Sequence, residues 1–191
     1  MPNRIYMCSI RLSELDPKLF PQTIRLIKSG KRQQLYSALG AIWEWCDWGI
    51  DPVKEPKRAK QVANRLLKHK GIISRLAPES IPMEKVYRGI DLVNRKEYFG
   101  GARGIYTPKY KYSSWSGWFG GAERYAHNGI VLEAEADDVM RSATLIFWPI
   151  QDTELQRLLI HKGIRMVNHG EYVFIINKSF PIKICKQRWN T

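Results

Sequence analysis

The stretch KYKYSSWSGWFGGAERYAHNGIVLEAEADD, residues 109–138, contains the strongest structural signals of the chain. Its second half, residues 129–136, alternates apolar side chains with Val131, Glu133 and Glu135, a period of two that predicts a strand with an acidic outer face. Its first half places three serines among tryptophans, although tryptophan usually belongs to a core. These hydroxyls need either a structural explanation, such as bonds to the backbone at a strand end, or a functional one.

The hydrophobic pattern of the chain changes from helix spacing to strand alternation near residue 80. Apolar residues at three- and four-residue intervals before residue 80, as at Leu35, Leu39 and Ile42, predict helices. After residue 82, strand patterns and glycine-rich turns predominate. We expect strands at 85–92, 129–136, 143–150, 170–177 and 180–189, and a short helix at 152–163. The chain is therefore predicted to be α+β, with a basic helical region at 1–80 and a second region at 81–191.

Composition limits the classes of protein that need consideration. The 191 residues carry a net charge of +13, which favours an acidic partner. Three cysteines at unrelated spacings match neither a disulfide scaffold nor a zinc site, and they are typical of a reducing cytosol. Charges within the first 30 residues argue against a signal peptide, and no apolar stretch is long enough for a membrane span. We expect a cytoplasmic protein, including the host-cell cytoplasm, with no membrane partner.

Much of the positive charge lies in residues 54–75, where eight basic residues accompany one acid. The apolar residues of this segment form one stripe of a predicted helix, so the cations lie elsewhere on its surface. One interpretation is a solvated helix face. The other is a surface for phosphates, since clustered lysine and arginine release counterions from a polyanion. The candidate contacts are Lys57, Lys60, Arg65 and Lys68.

Common catalytic signatures are absent from the sequence: there is no phosphate-binding P-loop, no dinucleotide fingerprint, no nucleophile elbow and no HExxH motif. An ordered set of polar residues remains, with Arg88 in VYRGI, Ser114 and Ser116 in YSSWS, and Glu171 in HGEYVF. Each alone is more often structural, as a salt bridge, a strand-end cap or a solvated carboxylate.

Their order, together with the following helix and alternating strand, resembles the arginine–serine–glutamate (cholera-toxin-like) class of mono-ADP-ribosyltransferases over roughly residues 83–180. The resemblance implies a split mixed β-sheet core that binds NAD. It also implies transfer of ADP-ribose to a macromolecule with release of nicotinamide. NAD is then a substrate, no metal is required, and the origin is bacterial or that of a bacteriophage.

The resemblance assigns the chemistry to a carboxylate and two hydroxyls. Glu171 would stabilise the positive charge that develops on the ribose as nicotinamide leaves. Ser114 would orient that carboxylate and the ribose, and Ser116 would brace the strand. Ser113 is the alternative register for the first serine.

The resemblance also assigns residues that hold the rest of NAD. Arg88 would contact the phosphates through its guanidinium. Gly89 would bind the nicotinamide amide through its backbone, since a missing side chain permits close approach. Trp118 or Phe119 would stack on the nicotinamide ring.

The chain departs from the family two residues before the predicted catalytic glutamate. His169 occupies a position where many members have Glu or Gln, which weakens the case for arginine as acceptor. It is either a general base or a loop cap. Arg165 in the preceding loop would face the acceptor, which we expect to be nucleic acid or a nucleic-acid-associated protein. Two alternatives stay open: a non-catalytic nucleic-acid-binding module that uses helix 54–75, and an NAD-consuming RNA phosphate transferase.

Overall fold

The computed structural model describes residues 10–47, 55–77, 83–91, 104–107, 112–127, 129–147, 153–163, 171–176 and 178–187. The chain divides into two compact units. The first comprises residues 1–78 and 150–167, and the second comprises residues 79–149 and 168–191. The predicted boundary between residues 80 and 81 lies close to the first crossing point. The prediction that 81–191 is uninterrupted differs from this division, because residues 150–167 belong to the helical unit.

The first unit is helical throughout its described part. Its helices are α1 (Pro21–Lys28), α2 (Arg32–Asp47), α3 (Pro56–Lys68), α4 (Lys70–Leu76) and, from the later segment, a helix at Glu154–His161; a short 3-10 turn at Leu12–Glu14 precedes them. Pro21 and Pro56 occupy first helical positions, where the missing N–H costs no hydrogen bond. The predicted apolar face of α2 is confirmed, since Leu35, Leu39 and Ile42 are completely buried.

The carboxylate of Glu154 explains why a segment so late in the sequence belongs to the helical unit. It accepts hydrogen bonds from the backbone N–H groups of Gln22, at 2.9 Å, and Thr23. These are unpaired donors in the first turn of α1, where a negative charge also interacts favourably with the helix dipole. Thr153 caps its own helix in turn, accepting from Gln156 N at 3.2 Å.

The second unit is built on an antiparallel sheet. Its strands are β1 (Lys85–Ile90), β2 (Ile105–Tyr106), β3 (Tyr112–Ser116), β4 (Ile130–Glu135), β5 (Ala143–Phe147), β6 (Glu171–Ile176), β7 (Phe180–Pro181) and β8 (Lys183–Gln187). The helices are α5 (Phe119–Ala126) and α6 (Ala136–Ser142), so the helix at Glu154–His161 is α7. Six strands form one sheet in the order β5-β6-β3-β1-β4-β8, and β2 pairs with β7.

The protein is α+β, as predicted, because helices form the first unit and a sheet with two helices forms the second. The expectation of a mixed sheet is wrong for the described strands, since every pair among them is antiparallel. The expectation of a mixed sheet came from the family resemblance, whereas the alternation of apolar and polar residues in 129–136 is itself more typical of an antiparallel strand.

Helix α5 lies against β1 and β4 at unusually short range. A Cβ atom built on Gly89 would lie 1.9 Å from the carbonyl oxygen of Ala122 and 2.6 Å from the amide nitrogen of Ala126. Ala122, Ala126 and Val131 form a buried cluster, with Tyr87 and Phe119 packed against it. Only glycine at position 89 permits this packing.

The other face of the sheet carries an aromatic core. Trp115 of β3 packs against Tyr106 of β2 and Phe180 of β7, with ring centroids 5.4 and 5.5 Å away. The ribbon formed by β2 and β7 thus covers this face. Among the described helices, none combines the length and apolar character that a membrane crossing requires.

Candidate functional site

Ser113 has a structural role that the sequence did not predict. Its hydroxyl oxygen accepts a hydrogen bond of 2.9 Å from the indole N–H of Trp115, and both residues are 1% exposed. A buried indole N–H needs such a partner, since leaving it unpaired costs free energy. One of the three hydroxyls in the aromatic run therefore serves the core.

Ser116 fixes the turn that leads from β3 into α5. Its hydroxyl accepts from the Trp118 N–H at 3.0 Å and donates to the Trp118 carbonyl oxygen at 2.8 Å. A side chain that bonds the backbone two residues away is a common device for ending a strand. The direction in which α5 leaves the sheet thus depends on this hydroxyl.

The pairing of β3 with β6 relates the serines to the predicted catalytic glutamate. Ser116 lies directly opposite Glu171, and Ser114 lies opposite Val173. Residues opposite each other share a face of the sheet, and so do residues two apart. Ser114, Ser116 and Glu171 therefore occupy one face, with Ser114 a diagonal neighbour of Glu171 at about 7–8 Å between backbone positions.

Arg88 lies where β1 and β3 diverge. Tyr87 is opposite Ser116, and this is the one pair that joins the two described strands. Beyond it the Nη1 group of Arg88 donates to the carbonyl oxygen of Ser114. Side chains alternate along β1, so Arg88 lies on the face opposite to Tyr87, whereas Ser114 and Ser116 share the face of Tyr87. Arg88 therefore contacts the backbone carbonyl of Ser114 and not the serine hydroxyls. Ser114, Ser116 and Glu171 thus share one face of the sheet and Arg88 lies on the other, and the contact of Arg88 with the phosphates of NAD stays a prediction.

The residues predicted to hold nicotinamide separate into two groups. Gly89 and Phe119 are structural: the space beside Gly89 is filled by the α5 backbone, and Phe119 packs edge-on against Tyr87 with ring centroids 5.6 Å apart. The space left by the missing side chain of Gly89 therefore admits α5 and not nicotinamide, contrary to the prediction. Trp118 is 50% exposed and lies beside the Arg124 guanidinium, which is 5.4 Å from the ring centroid. It remains the available stacking surface.

Two predicted residues, Arg165 and His169, lie outside the described residues. For Glu171, the structure describes the backbone. The role of His169, as a general base or as a loop cap, therefore stays a prediction.

The four predicted phosphate contacts on α3 differ in exposure and pairing. Lys57, Lys60 and Lys68 are exposed, as a contact surface requires. Arg65 is half-buried and forms an ion pair with Glu44 of α2. Because its guanidinium is already paired with a carboxylate, Arg65 is less available to a phosphate than the three lysines, and its role as a phosphate contact stays a prediction. Sequence could not distinguish the four, since all are cations on one predicted helix.

The surroundings of Cys185 disfavour its thiolate form. Partial burial of the sulfur raises its pKa to about 11, and its hydrogen bond to Glu133, at 3.2 Å between Sγ and Oε2, contributes in the same direction. The same carboxylate forms an ion pair of 2.8 Å with Lys85, which lowers the pKa of Glu133. A thiol is nucleophilic only as the thiolate, so Cys185 stays inert near neutral pH.

We expect Cys185, in a Cys8→Ser/Cys46→Ser background, to react with iodoacetamide on the order of 10²-fold more slowly at neutral pH than an unperturbed thiol. Glu133→Gln removes the negative charge that favours the protonated thiol, so it should lower the pKa and speed the reaction. The rate measured across pH gives the pKa directly. A pKa near that of a free cysteine would contradict the described environment.

No group of three or more His, Cys, Asp or Glu residues in the described ranges is arranged to hold a metal ion. The site consists of hydroxyls, a carboxylate position, an exposed indole and a guanidinium bonded to the strand. Comparison with protein families, with characterised proteins and with solved structures found no match for this chain.

Proposed function

We propose that the protein is an NAD-dependent mono-ADP-ribosyltransferase, with an ADP-ribosyltransferase-like sheet, that modifies a macromolecule in the cytoplasm. One observation carries the proposal. The β3–β6 register sets Ser114 and Ser116 on the same face as Glu171, and Arg88 donates to the Ser114 carbonyl at the divergence of β1 and β3. In this proposal the ribose binds between the carboxylate of Glu171 and the hydroxyl of Ser114, while the hydroxyl of Ser116 holds the Trp118 backbone.

The reaction breaks the bond between C1′ of the nicotinamide ribose and the ring nitrogen. Nicotinamide leaves with the bonding electron pair and becomes neutral, while the ribose acquires oxocarbenium character. Glu171 accepts a hydrogen bond from the ribose 2′-hydroxyl and stabilises that positive charge, much as carboxylates do in glycosidases. A nucleophile of the acceptor then attacks C1′ and loses its proton to a base.

The other residues position these groups. Arg88 holds the Ser114 backbone through its hydrogen bond to that carbonyl oxygen. Ser116 fixes the turn that presents Trp118, whose exposed indole is the surface on which nicotinamide would stack. His169 would be the base for the acceptor, and the acceptor is nucleic acid or a protein bound to it.

The proposal is tested with NAD labelled on its adenylate phosphate, incubated with the protein and a bacterial lysate. The expected result is nicotinamide release together with label bound covalently to protein or to nucleic acid. Digestion with protease or nuclease then identifies the acceptor class. Intact NAD with no labelled macromolecule would contradict the proposal, and nicotinamide release without label would contradict transfer.

Two adjacent serines offer a test of the register. Ser113→Ala leaves the buried Trp115 indole N–H without its acceptor, so it should lower the free energy of unfolding by about 1–3 kcal/mol. Ser114→Ala, at a half-buried position, should reduce nicotinamide release with a smaller effect on stability. Urea unfolding and NAD turnover measured on both variants separate the two roles. Loss of turnover in proportion to stability in both would contradict the assignment.

A further inference from the structure

A groove in the helical unit has a composition that suits an anion. It has a volume of about 520 Å³, within the range of pockets that hold a small organic molecule. Its lining includes three cations, Lys31, Lys68 and Arg75, and three neutral polar side chains, Gln33, Gln34 and Ser37. No carboxylate belongs to the lining. The groove therefore combines positive charge with hydrogen-bonding groups on a concave surface.

The three cations of the groove are available to a ligand. Within the described part of the chain, none of Lys31, Lys68 and Arg75 forms an ion pair with a carboxylate. Arg65, nearby in sequence, shows the contrast, since its charge is satisfied by Glu44. Three unpaired like charges around one depression repel each other, and an anion that binds among them relieves this repulsion.

The floor of the groove is fixed by a buried histidine. His69 is 8% exposed, and its Nε2 lies 2.9 Å from the Ser37 hydroxyl. Burial lowers the pKa of His69, and the charges of Lys68 and Arg65 lower it further. The imidazole is therefore neutral at physiological pH, and it links α2 to the junction of α3 and α4 without adding charge.

An exposed basic stripe on α3 leads into this groove. Lys57, Lys60, Gln61, Asn64 and Lys68 fall on one face of the helix and are all exposed. The opposite face, with Ala59, Val62, Ala63 and Leu66, is buried. From Lys57 to Lys68 the stripe extends about 16 Å, and Lys68 belongs to both stripe and groove. A linear polyanion matches this extended arrangement better than a compact anion does.

We propose that the α3 stripe and the groove together bind single-stranded nucleic acid, with backbone phosphates on the stripe and one nucleotide in the groove. The lysines contact successive phosphates, and the amides of Gln33 and Gln34 offer donors and acceptors to a base. A groove of this size admits one unpaired nucleotide, whereas paired bases stay stacked inside a duplex. This inference does not depend on the proposed transferase activity.

The test is the fluorescence anisotropy of labelled single-stranded RNA and DNA of one length, titrated with the full chain between about 50 and 200 mM salt without NAD. Five cations predict a slope of log K against log salt of about −3 to −4. The variant Lys31→Gln/Lys68→Gln/Arg75→Gln should reduce the magnitude of that slope by about 2. Lys18→Gln/Lys178→Gln/Lys183→Gln, which removes the same charge at exposed positions elsewhere, should leave it nearly unchanged.

Three results would overturn the inference: equal slopes for the two triple variants, equal affinity for a duplex of the same length, or competition by polyglutamate as strong per charge as that of RNA. A second measurement does not rely on variants. A 4-thiouridine oligonucleotide, cross-linked by light, should attach to peptides of α2, α3 and α4, and attachment confined to the second unit contradicts the inference. Because NAD is absent throughout, failure here leaves the transferase proposal standing, and the reverse also holds.

Discussion

Glu171→Gln is expected to reduce nicotinamide release from NAD by about 10²–10³-fold. The amide has nearly the shape of the carboxylate but no negative charge. It therefore retains hydrogen bonding to the ribose and loses the electrostatic stabilisation of the oxocarbenium ion. Because that charge develops in the transition state, the loss should appear in kcat more than in KM.

The matched control for this variant is Glu135→Gln, which makes the same chemical change at an exposed position of β4. It lies opposite Lys85 in the register and away from the β3–β6 pair. Its turnover should equal that of the unaltered protein. Nicotinamide release that survives Glu171→Gln at a normal rate would remove Glu171 from the mechanism, and equal losses in both variants would indicate a nonspecific effect of charge.

Local pattern predicted most elements of this fold. The alternation in residues 129–136 corresponds to β4, although α5 buries Val131 on the face predicted to be outer, and the helix predicted at 152–163 corresponds to α7. The helix period identified α2 and α3 together with their buried faces. These signals are local, because a residue's neighbours three or four positions away fix which face it presents.

Contacts between residues far apart in the sequence could not be predicted from such local patterns. Glu154 reads as an acidic residue in the first turn of its own helix, yet its carboxylate bonds α1, more than a hundred residues earlier. Arg65 reads as one of several surface cations, and its pairing with Glu44 depends on how α2 packs on α3. Partners so distant in sequence meet only when the tertiary structure forms.

The candidate site shows the same division. The serines were identified as unusual from sequence, and the order of Arg88, the serines and Glu171 suggested a site. The separate roles of the three serines were not predictable, since Ser113, Ser114 and Ser116 are chemically identical and differ only in the groups they contact in the folded protein. The groove was missed because its cations, Lys31 and Arg75, come from separate segments and share no motif.

Gly89→Ala is expected to destabilise the second unit strongly, by about 3 kcal/mol or more. The added methyl group would meet the Ala122 carbonyl oxygen at 1.9 Å and the Ala126 nitrogen at 2.6 Å. Both are backbone atoms, so no rotamer change can relieve the contact. Helix α5 must move away from β1, which opens the buried cluster around Val131.

Gly71→Ala is the matched control, because a Cβ at Gly71 of α4 would meet nothing within 4 Å. It should be neutral or stabilise by up to about 1 kcal/mol, since alanine loses less backbone entropy than glycine in a helix. The midpoints of urea unfolding, followed by tryptophan fluorescence, compare the two substitutions. Since α5 begins directly after the turn that Ser116 fixes, Gly89→Ala should also displace Trp118 and change its emission in the folded protein. Equal midpoints for both variants would mean that α5 does not lie as close to β1 as described, and the position of Trp118 beside the serines would lose its support.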